Sequence, residues 1–330
     1  MRIDPEHVIA PTARLPGPTV DPAPPPRPSA PVLRRLRRAL ARPVDAASLR
    51  VFRAMFGALL LVSVIRFAAK GWIAAQYIEP AYHFPYWGFA WVRPWPAAGM
   101  YLHFAALAGA ALCLALGLRP RLAALACFVL FTFVELLDKA AYLNHYYFVS
   151  VIALLLAALP VDARSPRAPA WTLYALRLQV GLVYFFAGVA KLRADWLFDA
   201  QPLRLWLAAH ADFPVLGPLF ARPATAHAMS WAGAAFDLGV PFLLLYRRTR
   251  PLALVALFGF HALTGALFPI GMFPWIMSSA ALLLLPPTWP RALLRALRPP
   301  VPADIPPVPA DIPPVPADIP PVPADIPPVP

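Results

Sequence analysis

Charged residues are scarce in this sequence. Asp, Glu, Lys and Arg make up 14% of its 330 residues, whereas a soluble domain usually carries about a quarter. Sixteen residues are acidic and 29 are basic, and they fall in short stretches between long apolar runs. With 60% hydrophobic residues and a mean hydropathy of +0.61, the composition excludes an ordinary soluble domain. It predicts an integral membrane protein.

The sequence also has few residues of the kinds that build disulfide-rich or metal-bound sites. It has two cysteines, Cys113 and Cys127, so a framework of several disulfides is excluded. Both lie at a similar distance from the Arg119–Arg121 turn, and two interpretations are open: small buried apolar residues, or a redox pair facing each other. The seven histidines show no HxxxH or HxxE spacing, so no metal site is predicted.

Proline is abundant at both ends of the chain. Residues 1–30 are proline-rich and lack the apolar stretch of a signal peptide, so we expect a disordered N-terminal tail. Residues 299–330 form a second tail, in which VPADIPP occurs four times between Val301 and Pro328. Three prolines in every seven residues exclude helix and favour extended polyproline II. This repeat is either a docking ligand or spacer, or a repeat expansion with no partner.

Residues 31–298 form the predicted membrane domain. Crossing a bilayer takes about 20 helical residues, and several apolar segments here reach or approach that length. The predicted fold class is therefore all-α, a polytopic transmembrane helical bundle of about eight spans. The predicted spans are 50–68, 99–118, 122–138, 146–160, 171–190, 229–246, 251–268 and 275–286. The fourth and eighth are short and end at prolines, and a re-entrant segment is the alternative for the eighth.

The distribution of Lys and Arg predicts the orientation, because cytoplasmic loops are enriched in both. On one side, the eight spans leave sixteen basic residues: Arg34, Arg35, Arg37, Arg38, Arg42, Arg50, Arg119, Arg121, Arg164, Arg167, Arg247, Arg248, Arg250, Arg291, Arg295 and Arg298. The other side has seven: Lys70, Arg93, Lys139, Lys191, Arg193, Arg204 and Arg222. We therefore expect both termini in the cytoplasm, with the protein in a bacterial inner membrane. Since these residues border helices and form no single basic face, nucleic-acid binding is not implied.

Two of the predicted outward loops are unusually apolar. Residues 70–98 carry four tryptophans and three tyrosines, which are typical of the headgroup level of a bilayer. Residues 196–221 are expected to include a short amphipathic helix on the same surface. A hydrophobic lid over a membrane-embedded cavity and a plain aromatic belt both fit these loops.

Some ionisable residues fall inside or at the ends of the predicted spans, where charge is costly. Such residues usually face a bundle interior or a water-filled cavity. Inside the spans are Arg53, Arg66, Glu135, Arg177, Asp237 and His261, and at the outer ends are Asp138, Lys139, His145 and Lys191. We expect Arg177 to pair with Asp237 or Glu135. Composition alone predicts that Lys191 extends its ammonium group to the headgroups.

Six segments, in order along the chain, carry a family resemblance. They are VFRAMFG (51–57), ELLDKAAYLNHYYF (135–148), PAWTLYALRLQVGLVYFFAGVAKLRADW (169–196), FDL (236–238), FHALTGALFPIGMFPW (260–275) and PTWPRALL (287–294). Together they resemble the membrane domain of the vitamin K-dependent γ-glutamyl carboxylases, the horizontally transferred transmembrane (HTTM) domain family. Several segments contain the rarer residues Trp, His and Asn, and their collinear order makes the resemblance specific.

The resemblance implies roles for three residues. Lys191, in AGVAKLRADW, matches the lysine that deprotonates vitamin K hydroquinone in that family. Asn144 and His145 match its Asn-His pair, in which the histidine assists at the developing oxyanion. The implied cofactors are reduced vitamin K or a menaquinone-type hydroquinone, with oxygen and carbon dioxide. The lysine and the pair fall on the outward side by the distribution of basic residues, which agrees with the lumenal chemistry of the family.

The implied function is a quinone-linked membrane enzyme that oxygenates a hydroquinone, to which carboxylation of a glutamate can be coupled. A lysine must be neutral to act as a base, and apolar surroundings favour its neutral form. The expected partners are the lipid bilayer, a lipid-soluble quinone and a peptide or protein substrate on the outer face. The carboxylases also carry a large lumenal C-terminal domain, for which the repeat tail is no substitute. The alternative is a non-catalytic membrane protein that assists the maturation or export of another protein.

Overall fold

The computed structural model describes residues 31–160, 165–268 and 270–297. The two predicted tails, 1–30 and 299–330, lie outside these ranges. Contacts divide the chain into two units, Met1–Pro290 and Arg291–Pro330, and nearly all of the described residues belong to the first.

The described chain is mostly helical, as the composition predicts. In chain order the helices are α1 (Pro31–Ala41), α2 (Ala47–Ala69), α3 (Trp72–Tyr77), α4 (Ala97–Leu116), α5 (Pro120–Leu137), α6 (Asn144–Ala158), α7 (Ala170–Ala190), α8 (Ala194–Leu197), α9 (Leu203–Ala208), α10 (Gly217–Phe220), α11 (Pro223–Leu245), α12 (Arg250–Leu267), α13 (Phe273–Ala281) and α14 (Trp289–Leu297). Two 3₁₀ turns, Lys139–Ala141 and Leu282–Leu284, precede α6 and follow α13.

Within the described residues, six helices are long and apolar enough to cross a membrane: α2, α4, α5, α7, α11 and α12. The shorter apolar helices are α6, and α13 with its 3₁₀ turn, and they coincide with the fourth and eighth predicted spans. The prediction of a membrane-embedded helical fold is therefore confirmed, while the number of crossings stays a prediction. Helix α11 begins at Pro223, before the predicted start at 229. Proline is tolerated in the first turn of a helix, so Pro223 can begin it.

A two-stranded antiparallel sheet was not expected from the sequence. It pairs β1 (Pro43–Asp45) with β2 (Arg167–Pro169), so that Val44 lies opposite Ala168. Strands of this length, with a proline in each, carry no alternating apolar pattern that would reveal them. The pairing ties the start of α2 to the start of α7.

Arginines inside the bundle donate to the carbonyl groups at helix ends. Arg53 on α2 donates to the carbonyl of Leu114, in the last turn of α4. On α7, Arg177 donates through Nε to Leu283 O at 2.7 Å and through Nη2 to Leu285 O at 2.6 Å. The last carbonyl groups of a helix lack the regular donor four residues on, so they can accept from a side chain, and Leu114 O does so beside its bond from Gly117 N.

The prediction that Arg177 pairs with Asp237 or Glu135 is therefore wrong. The guanidinium group finds its acceptors in the 3₁₀ turn that follows α13, and backbone carbonyls satisfy a half-buried arginine without a second buried charge.

The segment between α7 and α11 folds as three short helices with a small core of its own. Helix α7 ends at Ala190, and α8, α9 and α10 then pack against the N-terminal half of α11. The buried apolar residues of this core are Ala200, Leu203, Leu207, Phe220, Ala226 and Leu267. The segment predicted to contain one amphipathic helix thus contains several.

The predicted orientation gives a direct expectation for reporter fusions. A reporter fused after Arg298 and one inserted at the exposed Gly88 should lie on opposite sides of the membrane, because of the sixteen-to-seven asymmetry of basic residues in the predicted loops. Alkaline phosphatase and green fluorescent protein fusions measure this. A reporter at Arg119, between α4 and α5, should agree with the C-terminal one, and an external C-terminal signal would contradict the eight-span topology.

Candidate functional site

An ion pair joins the end of α7 to the middle of α11. Lys191, the residue after α7, donates from Nζ to Asp237 Oδ2 at 2.6 Å and to Ala187 O at 3.2 Å. The side chains of Lys191 and Asp237 are 20% and 5% exposed. Lys191 therefore has a carboxylate partner inside the bundle. Composition alone predicts that its ammonium group extends to the headgroups, and the ion pair with Asp237 replaces that arrangement.

Close packing of α7 on α11 positions this pair. A Cβ atom on Gly188 would lie 2.6 Å from Leu238 Cγ and 3.0 Å from the backbone nitrogen of Leu238, so a glycine is needed there for the helices to approach. Tyr184, Gly188 and Lys191 follow at spacings of four and three residues, which places them on one face of α7. The same face meets α11 at Asp237, next to Leu238.

A tryptophan beside the pair is held by α11. The ring of Trp196, in α8, lies with its centroid 5.2 Å from Lys191 Nζ, within the range of a cation–π contact. Trp196 Nε1 donates to Ser230 O at 2.9 Å, and the Ser230 hydroxyl donates back to Trp196 O. Trp231 Nε1 donates to Leu197 O at 2.7 Å. These bonds fix α8 against α11 and keep the indole beside the ammonium group.

A second buried polar pair involves Tyr184, about two helical turns before Lys191 on α7. The Tyr184 hydroxyl and His261 Nε2, on α12, share a hydrogen bond of 2.8 Å. Both residues are nearly fully buried. The ring of Phe236 lies edge-on to that of Tyr184 at 6.1 Å and stacks on that of Phe260 at 4.2 Å. An aromatic cluster therefore surrounds the region next to Asp237.

An apolar groove of about 400 Å³ runs between α7 and α11. Its residues are Tyr174, Arg177, Leu178, Gly181, Leu182, Phe185, Leu238, Pro241, Phe242, Leu245 and Leu284. Arg177 is the one charged residue among them, and its guanidinium group bonds to backbone carbonyls. The end of the groove at Leu238 lies next to Gly188, one helical turn from Lys191.

His145 lies in a different cavity. This cavity of about 180 Å³ is at the N-terminal ends of α6 and α13, and we call it the α6–α13 cavity. Its residues are Leu60, Ser63, Arg66, Phe67, Trp72, Gln76, Phe131, Leu143, His145, Tyr146, Val149, Ile270, Gly271, Met272, Phe273 and Ile276. Asn144 is exposed at the first residue of α6 and is not among them, and neither is Lys191.

A comparison with known protein families matches residues 41–289 to the HTTM domain. The chain belongs to the HTTM domain family. The match extends from just before α2 to beyond α13, so it covers all eight apolar helices and the sites described above. No solved structure matches this chain.

The HTTM domain thus places Lys191 and His145 in separate environments and leaves Asn144 exposed. Lys191 has α7, α8 and α11 as neighbours, whereas the His145 ring packs on that of Phe273 at a centroid distance of 4.9 Å. Within the described residues, no group of three or more His, Cys, Asp or Glu side chains is placed to hold a metal ion. The catalytic roles of Lys191, Asn144 and His145 stay predictions.

Sequence reasoning missed two features of this HTTM domain. Asp237 was assigned to the wrong partner, and Tyr184 was not singled out. A signal for Asp237 was present in the sequence. The FDL segment at 236–238 is one of the six segments of the family resemblance, and it follows the segment that contains Lys191. Tyr184 carried no signal, because a single tyrosine in an apolar helix is usually a core residue.

Proposed function

We propose that this HTTM protein is a membrane enzyme that oxygenates a hydroquinone, with Lys191 as the base. One observation carries the proposal: Lys191 Nζ lies 2.6 Å from Asp237 Oδ2 at the end of an apolar helix. A buried ion pair costs desolvation and adds little stability over apolar residues of the same size, so its presence in a membrane bundle favours a function.

The surroundings of the pair suit a lipid-soluble ring with an apolar tail. The groove between α7 and α11 ends at Leu238, near Lys191. Its walls at Gly181 and Phe185 are apolar, and Phe185 is exposed at the surface of the bundle. These walls would hold the isoprenoid chain of a menaquinone-type hydroquinone. Trp196 provides a flat surface beside the ammonium group, and Phe236, the residue before Asp237, belongs to the aromatic cluster with Tyr184. The residues present therefore fit such a ligand.

The chain's own groups can move the proton that the reaction requires. In the ion pair, Lys191 is charged and cannot act as a base. Transfer of one proton from Lys191 to Asp237 across their hydrogen bond would leave a neutral amine and a neutral carboxyl. The amine can then accept a proton from a hydroquinone hydroxyl group. A bound hydroquinone supplies that proton and the electrons that reduce oxygen, giving an epoxide and water.

Asn144 and His145 enter the proposal on the family resemblance. Their proposed role is to donate hydrogen bonds to a developing oxyanion, a kind of contact that lowers many enzymatic barriers. Since Lys191 does not line the α6–α13 cavity, the proton transfer proposed above depends on Lys191 and Asp237 and not on this pair.

The second candidate function is non-catalytic assistance in the maturation or export of another protein. Lys191 already has a carboxylate partner, and a paired lysine can join two helices without any reaction. The same assay separates the two functions.

The test is an oxygenation assay on the purified protein in nanodiscs. Incubation with vitamin K hydroquinone or reduced menaquinone in the presence of oxygen should yield the quinone epoxide, measured by liquid chromatography and mass spectrometry. Lys191→Ala should lower the rate at least about a hundredfold, the usual contribution of a positioned base. A small exogenous amine should restore part of the rate.

The matched control is Lys139→Ala, because Lys139 is exposed and lies in the 3₁₀ turn before α6. This variant should keep the wild-type rate. Absence of epoxide with both hydroquinones in the wild-type protein would reject the enzyme and favour the non-catalytic function. Equal rates for Lys191→Ala and the wild type would reject Lys191 as the base.

A further inference from the structure

An arginine without an anionic partner lines the α6–α13 cavity. The guanidinium group of Arg66, near the end of α2, lies 5.0 Å from the ring centroid of Trp72. Among the described residues, no carboxylate forms an ion pair with it and no oxygen accepts a hydrogen bond from it. Arg53 and Arg177, the other arginines inside the bundle, both bond to carbonyl groups. Arg66 therefore keeps its donors available to a ligand.

The rest of the cavity is also suited to negative charge. Two helices, α6 and α13, begin at its wall, where His145 and Phe273 lie, and helix N-termini carry partial positive charge. Ser63 and Gln76 add groups that can donate hydrogen bonds. Of the residues that the structure describes, none that lines this cavity is acidic. Glu135 lies in a smaller neighbouring cavity, which shares Phe131 and Tyr146 with it.

Aromatic rings form much of the remaining wall. Phe67, Trp72, Phe131 and Phe273 line the cavity, and the ring of Phe273 faces that of His145. At about 180 Å³, the cavity is smaller than the roughly 300–1,000 Å³ of pockets for drug-sized ligands. A ligand that fits this cavity would be small, with one negative charge to match one guanidinium group and an apolar body to match the rings.

We propose that the α6–α13 cavity binds a small organic carboxylate, with Arg66 as the anion-recognising residue. The planar guanidinium fork pairs with both oxygens of a carboxylate, and the aromatic walls exclude water from the pair. The resemblance gives a role to His145, one residue of this cavity, but it assigns none to Arg66 and no carboxylate to the cavity. The inference does not depend on the oxygenation proposed above.

The test measures binding and not turnover. Benzoate serves as the probe, and thermal unfolding of the full chain in detergent is followed by intrinsic tryptophan fluorescence. A ligand of the folded state raises the melting temperature as its concentration increases. Benzoate should raise it, the uncharged isostere benzamide should not, and inorganic phosphate should have a clearly smaller effect at the same concentration.

Arg66→Gln should weaken the apparent affinity for benzoate at least about tenfold, since a hydrogen-bonded charge is lost. Arg93→Gln is the matched control, because Arg93 is exposed and lies outside the cavity, and it should leave the benzoate effect unchanged. If Arg66→Gln does not fold, Arg66→Lys keeps the charge but loses the planar fork, and it should weaken binding to a smaller extent.

Three results would overturn the proposal. Equal stabilisation by benzamide and benzoate would show that charge is not recognised. Equal stabilisation by phosphate and benzoate would show that the aromatic walls take no part. An unchanged benzoate affinity in the folded Arg66 variants would place the binding elsewhere. Because none of these measurements uses a hydroquinone, their failure is distinguishable from failure of the oxygenation assay.

Discussion

Replacing Lys191 with methionine is expected to lower the free energy of unfolding by about 3 kcal/mol, because it leaves the buried Asp237 without its partner. This figure is at the low end for a buried ion pair, since the Lys191 side chain is 20% exposed. Replacing both residues, as Lys191→Met with Asp237→Leu, should recover most of the loss. Apolar residues of similar volume carry no desolvation cost in this environment.

Stability and activity should separate in these variants. The double variant should be folded, near wild-type in stability and inactive in the hydroquinone assay, since both the base and its proton acceptor are gone. Titration with sodium dodecyl sulfate in mixed micelles measures stability, and epoxide formation measures activity. Lys139→Met is the control for loss of an exposed lysine and should change neither quantity. A double variant as unstable as the single one would show that the pair does more than neutralise Asp237, and retained activity would reject the proposed mechanism.

Replacing Gly57 with alanine is expected to cost about 3 kcal/mol, because the added methyl group would meet backbone atoms of α4. A Cβ atom at this position would lie 2.5 Å from Ala115 N and 2.8 Å from Ala111 O. Both atoms are backbone, so no side chain can rotate away, and α2 must separate from α4 to make room. The helices would then lose contacts around buried residues such as Leu60 and Leu107.

Gly109 on α4 supplies the matched control. Nothing lies within 4 Å of a Cβ atom built there, and the residue is exposed. Gly109→Ala should therefore be neutral or should stabilise the protein by about 0.5–1 kcal/mol, because alanine favours helix more than glycine does. The comparison uses the yield of monodisperse protein and the melting temperature in detergent. Equal behaviour of the two variants would show that α2 and α4 are not in the close contact described here.

The positions of the apolar helices could be predicted from the sequence because their signal is local. A bilayer core requires about 20 apolar residues in succession, and such a run is visible without knowing what packs beside it. The family resemblance could also be found from the sequence, because each of its six segments consists of consecutive residues and the segments occur in the order of the HTTM family. Lys191 was singled out in this way, at the end of α7.

Partners across helices were harder to predict, because a sequence gives depth in the membrane only roughly and gives no rotation about the helix axis. Asp237 and Glu135 both lay within reach of Arg177 by this estimate, yet Arg177 bonds to the carbonyls of Leu283 and Leu285. Asp237 pairs with Lys191 because Gly188 lets α7 approach α11 at that level. A shift of one helical turn along either helix changes which charged residues face each other.

The sequence by itself determined that this protein is a helical membrane protein of the HTTM family, and it located the apolar helices within a few residues. Length, apolarity and local motifs are properties of consecutive residues, so no tertiary information was needed. Only the tertiary structure decided that Lys191 has Asp237 as its partner, that His145 lies in a separate cavity, and that no carboxylate of the described residues pairs with Arg66 there. Those relations depend on how the helices are rotated and staggered, which is set by close packing at a few small residues.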